Sequence, residues 1–135
     1  MDLRILEIAS NTENNKILDK RTHKSKNKNP LCGDEMEISL IVKNNKVIDI
    51  GYQCKSCVYC QASVSLLSQN IKNKSLDEIK EFINICENIF DDTKIIFEKK
   101  WNSFKELFDK KNISRKDCLL LPLRTVNKAL NDKDK

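Results

Sequence analysis

Three cysteines within seven residues, Cys54, Cys57 and Cys60, form the densest concentration of reactive side chains in this 135-residue chain. Three more stand at Cys32, Cys86 and Cys118. In a reducing compartment, thiols clustered in this way serve metal or sulfur chemistry rather than disulfides. The thiolate is both the metal ligand and the sulfur nucleophile, and a helix N-terminus favours it. Cys32 lies in Asn29-Pro30-Leu31-Cys32-Gly33-Asp34, just before a strand pattern. Cys57 follows the next strand pattern, and Cys118 stands near the start of the last helical one. All three sit at element ends, where a rigid scaffold presents side chains. Asp34 adds an oxygen donor two residues after Cys32. Cys32, Asp34, Cys57 and Cys118 would make a four-coordinate site suited to Zn²⁺ or iron.

Other cysteine patterns fit less well. Cys54-x2-Cys57-x2-Cys60 matches part of a ferredoxin run, but the fourth cysteine is replaced by Val64. A zinc ribbon needs a second, separate Cys-x2-Cys, and thioredoxin chemistry needs a βαβ setting. Cys60 falls one helical turn after Cys57. Two readings stand for it: an additional ligand or resolving thiol, and a small side chain tolerated in a reduced compartment. Cys54 reads as the latter. Cys86, on an apolar helical stripe, reads as a core thiol. His23, the one histidine, falls in a basic loop and reads as solvated.

The elements that must position these residues are legible from periodicity. Residues 3–10 form a short apolar helical block. Residues 11–30 are polar, with a short edge strand expected near 22–27. Met36, Ile38, Leu40 and Val42 alternate with Glu37 and Ser39, the period of a half-buried strand. Asn44-Asn45 predicts a two-residue hairpin turn, because asparagine tolerates positive φ. A returning strand over 47–53 places Ile48, Ile50 and Tyr52 on one face, with Gly51 as a candidate bulge. A helix over 58–72 follows, with Ala62, Ser63 and Ser65 suited to close packing. Ser75-Leu76-Asp77-Glu78 is a capping box opening a helix through Phe90. A further helix is expected over 94–111, carrying Ile96, Phe97, Trp101, Phe104, Leu107 and Phe108 on one apolar stripe. A last helix starts close to Cys118, because Pro122 belongs in a first turn. Strands followed by a run of helices predict a single α+β domain: a small antiparallel sheet of about three strands against several helices.

Composition narrows the function classes. Apolar residues make up 39% and charged residues 33%, enough for one modest core. No apolar run approaches the ~20 residues of a membrane span, and residues 1–15 lack a signal-peptide pattern. A cytoplasmic protein with no membrane role is expected. The net charge is +5, and five basic residues lie between Lys20 and Lys28. They carry no interleaved aromatics, so the pattern argues against nucleic-acid binding and for a solvated basic segment.

Together these pieces resemble the IscU/SufU/NifU-N-terminal family of iron–sulfur cluster scaffolds. The resemblance rests on Asn29-Pro30-x-Cys32-Gly33-Asp34 before a hairpin and on Cys57 followed by the Ala62-Ser63 helix. Lys74-Ser75-Leu76-Asp77-Glu78, and Cys118 before a terminal helix ending Lys128-Ala129-Leu130, complete it. It implies a protein that accepts sulfur from a cysteine desulfurase and passes clusters to carrier or apo-target proteins. It also implies that Cys32, Asp34, Cys57 and Cys118 bind a transient [2Fe–2S] cluster or iron, with Zn²⁺ as the alternative occupant. Cys118 is then the candidate persulfide acceptor, and Asp34 tunes cluster lability. Such a protein is a scaffold or sulfur acceptor rather than an enzyme in its own right. The alternative is a zinc-stabilised, non-catalytic interaction module whose basic loop docks a partner.

The chain also departs from that pattern. The stretch from Glu78 to Cys118 is longer than in the IscU branch by roughly one helix, which resembles the SufU branch. The Leu-Pro-Pro-Val-Lys chaperone motif is absent, which argues against an Hsp70-type handoff. Asp117 precedes Cys118 where IscU carries His and SufU carries Lys. An anion there is expected to disfavour the Cys118 thiolate unless Arg115 and Lys116 compensate.

Overall fold

The computed structural model describes residues 3–30, 33–92 and 94–131. Its order is α1 (Leu3–Ala9), β1 (His23–Lys28), β2 (Glu35–Lys43), β3 (Lys46–Lys55), α2 (Val58–Asn70) and α3 (Leu76–Asn88). Two 3₁₀ helices, Lys99–Phe104 and Lys110–Arg115, then lead into α4 (Lys116–Asn131). The sheet is antiparallel in the order β1-β2-β3. The protein is therefore α+β, as the element pattern predicts. None of the described helices is long and apolar enough to cross a membrane.

The β2–β3 turn is made by Asn44 and Asn45, with φ of 51° and 63°. Two positive φ values match the right-handed strand twist, so the pair fixes the hairpin register. Met36, Ile38, Leu40, Ile50 and Tyr52 are buried against the helices. The bulge lies elsewhere than Gly51. Ile41 pairs with Asp49 and Val42 with Val47, so Ile48 is the extra residue and turns outward, while Val47 takes the core position.

Gly51 answers a different need. A Cβ at this position would collide with the carbonyl oxygen of Lys16. The 14–18 segment crosses the outer sheet face here. Asn14 O accepts from the Tyr52 N–H at 3.1 Å, and Ser39 Oγ accepts from the Leu18 N–H at 3.2 Å. This cover is why Ser39, expected in solvent, is only 3% exposed. Gly51→Ala should cost about 1–3 kcal/mol by overpacking against backbone that cannot yield. Urea denaturation checks this, and a variant as stable as the parent would contradict it.

α2 is buried along most of its length from Cys60 to Ser68 and forms the centre of the domain. Its small residues serve as bonds as well as spacers. Ser63 Oγ donates to the Leu119 carbonyl of α4 at 2.6 Å, and Ser65 Oγ donates to the Asn11 carbonyl at 2.7 Å. Ser25 Oγ of β1 donates to the Thr125 carbonyl at 2.6 Å, so α4 is tied to both the sheet and α2. The capping box of α3 forms as expected, with the Ser75 and Glu78 side chains each taking the other's backbone N–H at 3.1 Å. Glu78 also takes a 2.7 Å bond from Lys100, which, with the Ser75 bonds, pulls its carboxyl down to about 2.

Residues 94–111 do not form one helix. Trp101, Phe104, Leu107 and Phe108 reach the core as expected, whereas Ile96 of the same stripe is exposed, and Trp101 stacks on Phe82 with ring centroids 4.1 Å apart. Their spacing of three also suits a 3₁₀ turn, and side chains stop the α-ladder. Asn112 Nδ2 donates to the Glu106 and Leu107 carbonyls at 3.2 and 3.0 Å, and Asp109 Oδ1 accepts from the Lys111 N–H at 2.9 Å. His23 also differs from expectation. It is buried on the inner side of β1, with its ring 2.8 Å from Thr22 Oγ1.

Candidate metal centre

The site is assembled from three element ends. After β1 the chain closes a tight loop. The Asn29 N–H donates to the Asp34 carbonyl and the Gly33 N–H to the Asn29 carbonyl, both at 2.8 Å. Gly33 has a φ of 76°, with nothing near where a Cβ would be, so glycine is needed there for its backbone freedom rather than for space. Asp34 continues the Lys28–Glu35 pairing of the sheet and stands beside the end of β3, where Glu35 pairs with Lys55. Two residues on, Cys57 is the N-cap of α2, with φ −69°, ψ 166° and no side-chain cap bond. Its thiol is left available instead of being spent on the helix.

Asp34 Oδ1 accepts from the Cys57 backbone N–H at 3.2 Å, locking carboxylate and thiol to one frame. The third side, Cys118, sits in the first turn of α4, and both Cys118 and Asp34 are 7% exposed. One donor atom each from Asp34, Cys57 and Cys118 lie within 4.8 Å of one another. Cys32, the fourth expected ligand, lies outside the described residues.

The donors fit a metal. Asp34 Oδ2 is buried with no hydrogen-bond partner among the described residues. A buried carboxylate oxygen without a partner costs free energy unless a cation takes it up. Two cysteine sulfurs, which bind metal as thiolates, and a carboxylate would supply that charge and softness.

The other cysteines fall outside this group. Cys60 is fully buried, and burial pushes its thiol far up, with the nearby Ser56 hydroxyl offsetting only part of the shift. Cys54 is half-buried on β3 and is likewise raised by burial. Cys86 is core, also raised by burial. None of the five described cysteines is in a disulfide.

Asp117 is not among the converging donors. Its Oδ1 accepts from Arg124 Nη1 at 3.3 Å, and the same guanidinium grips Glu87 of α3 through two 2.9 Å bonds. Arg124, rather than Arg115 or Lys116, is the cation that pairs with Asp117. Arg115 instead lies 5.1 Å over the Tyr59 ring, and Lys116 reaches Asp91 at 3.6 Å. A sequence signal for this did exist: Asp117 and Arg124 are seven residues apart, two turns along one helix face.

Known proteins share this chain's sequence pattern and fold. A family profile described as the NifU-like N-terminal domain matches residues 2–104. The iron–sulfur cluster assembly scaffold protein IscU of Thermotoga maritima is 30% identical over 132 residues, covering 93% of this chain and 89% of that protein. The N-terminal part of a NifU-like protein from Brucella abortus superposes with a TM-score of 0.88 at 22% identity, over 96% of this chain and 91% of that one. A candidate SUF-system cluster assembly scaffold from Fervidobacterium islandicum gives the same TM-score at 24% identity, over 96% of each chain. These two structures share the fold.

Proposed function

Since the chain belongs to the NifU-like N-terminal domain family of iron–sulfur cluster assembly scaffolds, we propose that it accepts sulfur from a cysteine desulfurase and builds a cluster on Cys32, Asp34, Cys57 and Cys118. The observation that carries this reading is the convergence of Asp34, Cys57 and Cys118 within 4.8 Å, with a buried carboxylate oxygen that has no hydrogen-bond partner among the described residues. Iron and sulfide are the cargo, and the protein supplies the donors. The comparisons favour this over a zinc-stabilised docking module, although Zn²⁺ fits the same donors.

The sulfur step needs no external oxidant. The Cys118 thiolate attacks the outer sulfur of the desulfurase persulfide. A new S–S bond forms on Cys118 as the enzyme's S–S bond breaks, and the enzyme cysteine leaves as thiolate. Asp34 and the Cys57 N–H hold the neighbouring ligands in register while this occurs. Once iron arrives, the bound sulfur must be reduced to sulfide by an electron donor supplied in trans. Clusters would then pass to carrier or apo-target proteins.

Anaerobic incubation with a cysteine desulfurase, cysteine, ferrous iron and a reductant tests the reading. Visible sulfur-to-iron charge-transfer absorption is expected, and in the absence of iron a persulfide detectable by mass spectrometry. Neither colour nor persulfide on any cysteine would defeat it.

A further inference from the structure

The geometry points to a positioning clamp: Arg124, anchored on Glu87 and holding Asp117, fixes the first turn of α4 and thereby the Cys118 sulfur. This rests on the metal-centre reading above and adds to it three residues, Arg124, Glu87 and Asp117, that are not among the converging donors.

The need for a clamp arises at Pro122. A proline has no N–H, so position 122 cannot give the Cys118 carbonyl its helical hydrogen bond. The turn carrying the ligand thus lacks one rung of its own ladder. Asp117 and Arg124 stand on either side of this gap, one residue before Cys118 and two after Pro122. The 3.3 Å bond from Arg124 Nη1 to Asp117 Oδ1 bridges it.

Arg124 does not move freely. Its Nε and Nη2 bind both oxygens of Glu87 at 2.9 Å, a forked geometry only a guanidinium offers. Glu87 lies in the last turn of α3, so the clamp refers the start of α4 to a separate helix. On the opposite side, Ser63 of α2 holds the next carbonyl, that of Leu119. The two attachments leave the Cys118 turn little freedom to rotate. Asp117 and Arg124 also line a cavity of about 300 Å³ together with Asn29 and Pro30 of the Asp34 loop. The clamp therefore stands between two of the ligand-bearing segments.

The three side chains are 33–49% exposed, so their ion pairs contribute little to global stability. Their effect is on where one thiol stands. Groups bonded directly to a ligand typically change metal affinity roughly 10–100-fold when removed, and a clamp acting through the helix backbone is expected at the low end of that range.

The test uses the whole reduced chain without oxygen, with Co²⁺ as the probe and a chelator in competition. Arg124→Met and Asp117→Ala should each weaken Co²⁺ binding by roughly tenfold and shift the thiolate-to-cobalt and ligand-field bands. Asp117→Asn, whose amide oxygen still accepts from Arg124, should restore affinity and spectrum to near those of the parent. Lys100→Met cuts an ion pair of similar exposure on α3 and should leave both unchanged. Thermal midpoints of all variants separate loss of fold from loss of position. A parent that binds no Co²⁺ would sink the metal-centre reading itself. A parent that binds, with Arg124→Met equally tight and spectrally identical, would overturn the clamp alone. So would Asp117→Asn as weak as Asp117→Ala, since charge rather than geometry would then be responsible. If Arg124→Met does not fold, the two Asp117 variants decide.

Discussion

Cys57→Ser should strip the protein of bound metal while leaving the metal-free fold as stable as before, or slightly more so. Both halves of that result follow from where Cys57 sits. It is the N-cap of α2, a place where serine, threonine, aspartate or asparagine would normally accept a bond from the helix start, and no such bond is made. A hydroxyl there can form the missing cap, a gain of up to about 1 kcal/mol. That same hydroxyl is a poor ligand, because it stays protonated and lacks the polarisable sulfur that soft metals select. The parent, purified without oxygen, should carry roughly one equivalent of metal, as expected for one four-coordinate site. Elemental analysis should show the variant close to none, while its urea midpoint in the metal-free state is equal or higher. A Cys57→Ser protein that retains its metal would remove Cys57 from the ligand set. One that unfolds without metal would show that the thiol is structural.

The second large effect is expected at Asp34, on kinetics rather than on capacity. Its Oδ1 is shared with the Cys57 N–H at 3.2 Å, and its Oδ2 has no hydrogen-bond partner among the described residues. A hard oxygen already partly committed to a backbone donor is the weakest and most exchangeable ligand of the set. It is the natural point for a bound cluster to open toward an acceptor. Asp34→Ala should therefore slow cluster transfer to an apo-acceptor by roughly tenfold, the lower range for groups that tune a metal site. Asp34→Asn keeps an acceptor for the Cys57 N–H and should keep the loop in register, with an intermediate rate. Circular dichroism of the reconstituted cluster during transfer measures both. Release from Asp34→Ala at the parental rate or faster would show that the carboxylate does not govern lability.

Most of what surrounds these two residues was readable before any coordinates. The Asn44-Asn45 turn, the Met36–Leu40 alternation and the Ser75–Glu78 capping box are local: each is decided by residues within four positions, so periodicity and turn chemistry suffice. Readings that failed needed distant partners. Ser39 alternates correctly as an outward residue, yet it is buried because the 14–18 segment lies over it. Ile48 alternates correctly as an inward residue, yet a bulge turns it out. The 94–111 stripe has the right apolar residues, but Asn112 and Asp109 end its backbone ladder from the side-chain level. In that stretch periodicity identified Trp101, Phe104, Leu107 and Phe108 as core, but it misplaced Ile96, which is exposed, and it did not reveal the helix type.

The cysteine chemistry divides along the same line. Residue types and spacing by themselves placed thiols at element ends, set Asp34 beside them as a candidate donor, and indicated which family pattern the chain follows. Those features are written in short motifs whose order survives in one dimension. Only the tertiary structure decided which cysteines share a space. A linear reading sets Cys57 apart from Cys54 but leaves Cys60 open between ligand and tolerated side chain, and a strand and a helix start aim the three differently. Cys57 faces Asp34 and Cys118, while Cys60 is turned into the core, where burial keeps its thiol protonated. Asp117 changed meaning for the same reason. Next to Cys118 in sequence it is an unfavourable charge, whereas in space it is held by a guanidinium that also grips α3. Sequence proximity sets which groups are available, and the direction of each Cα–Cβ bond, fixed only when helices and sheet pack, sets which of them meet.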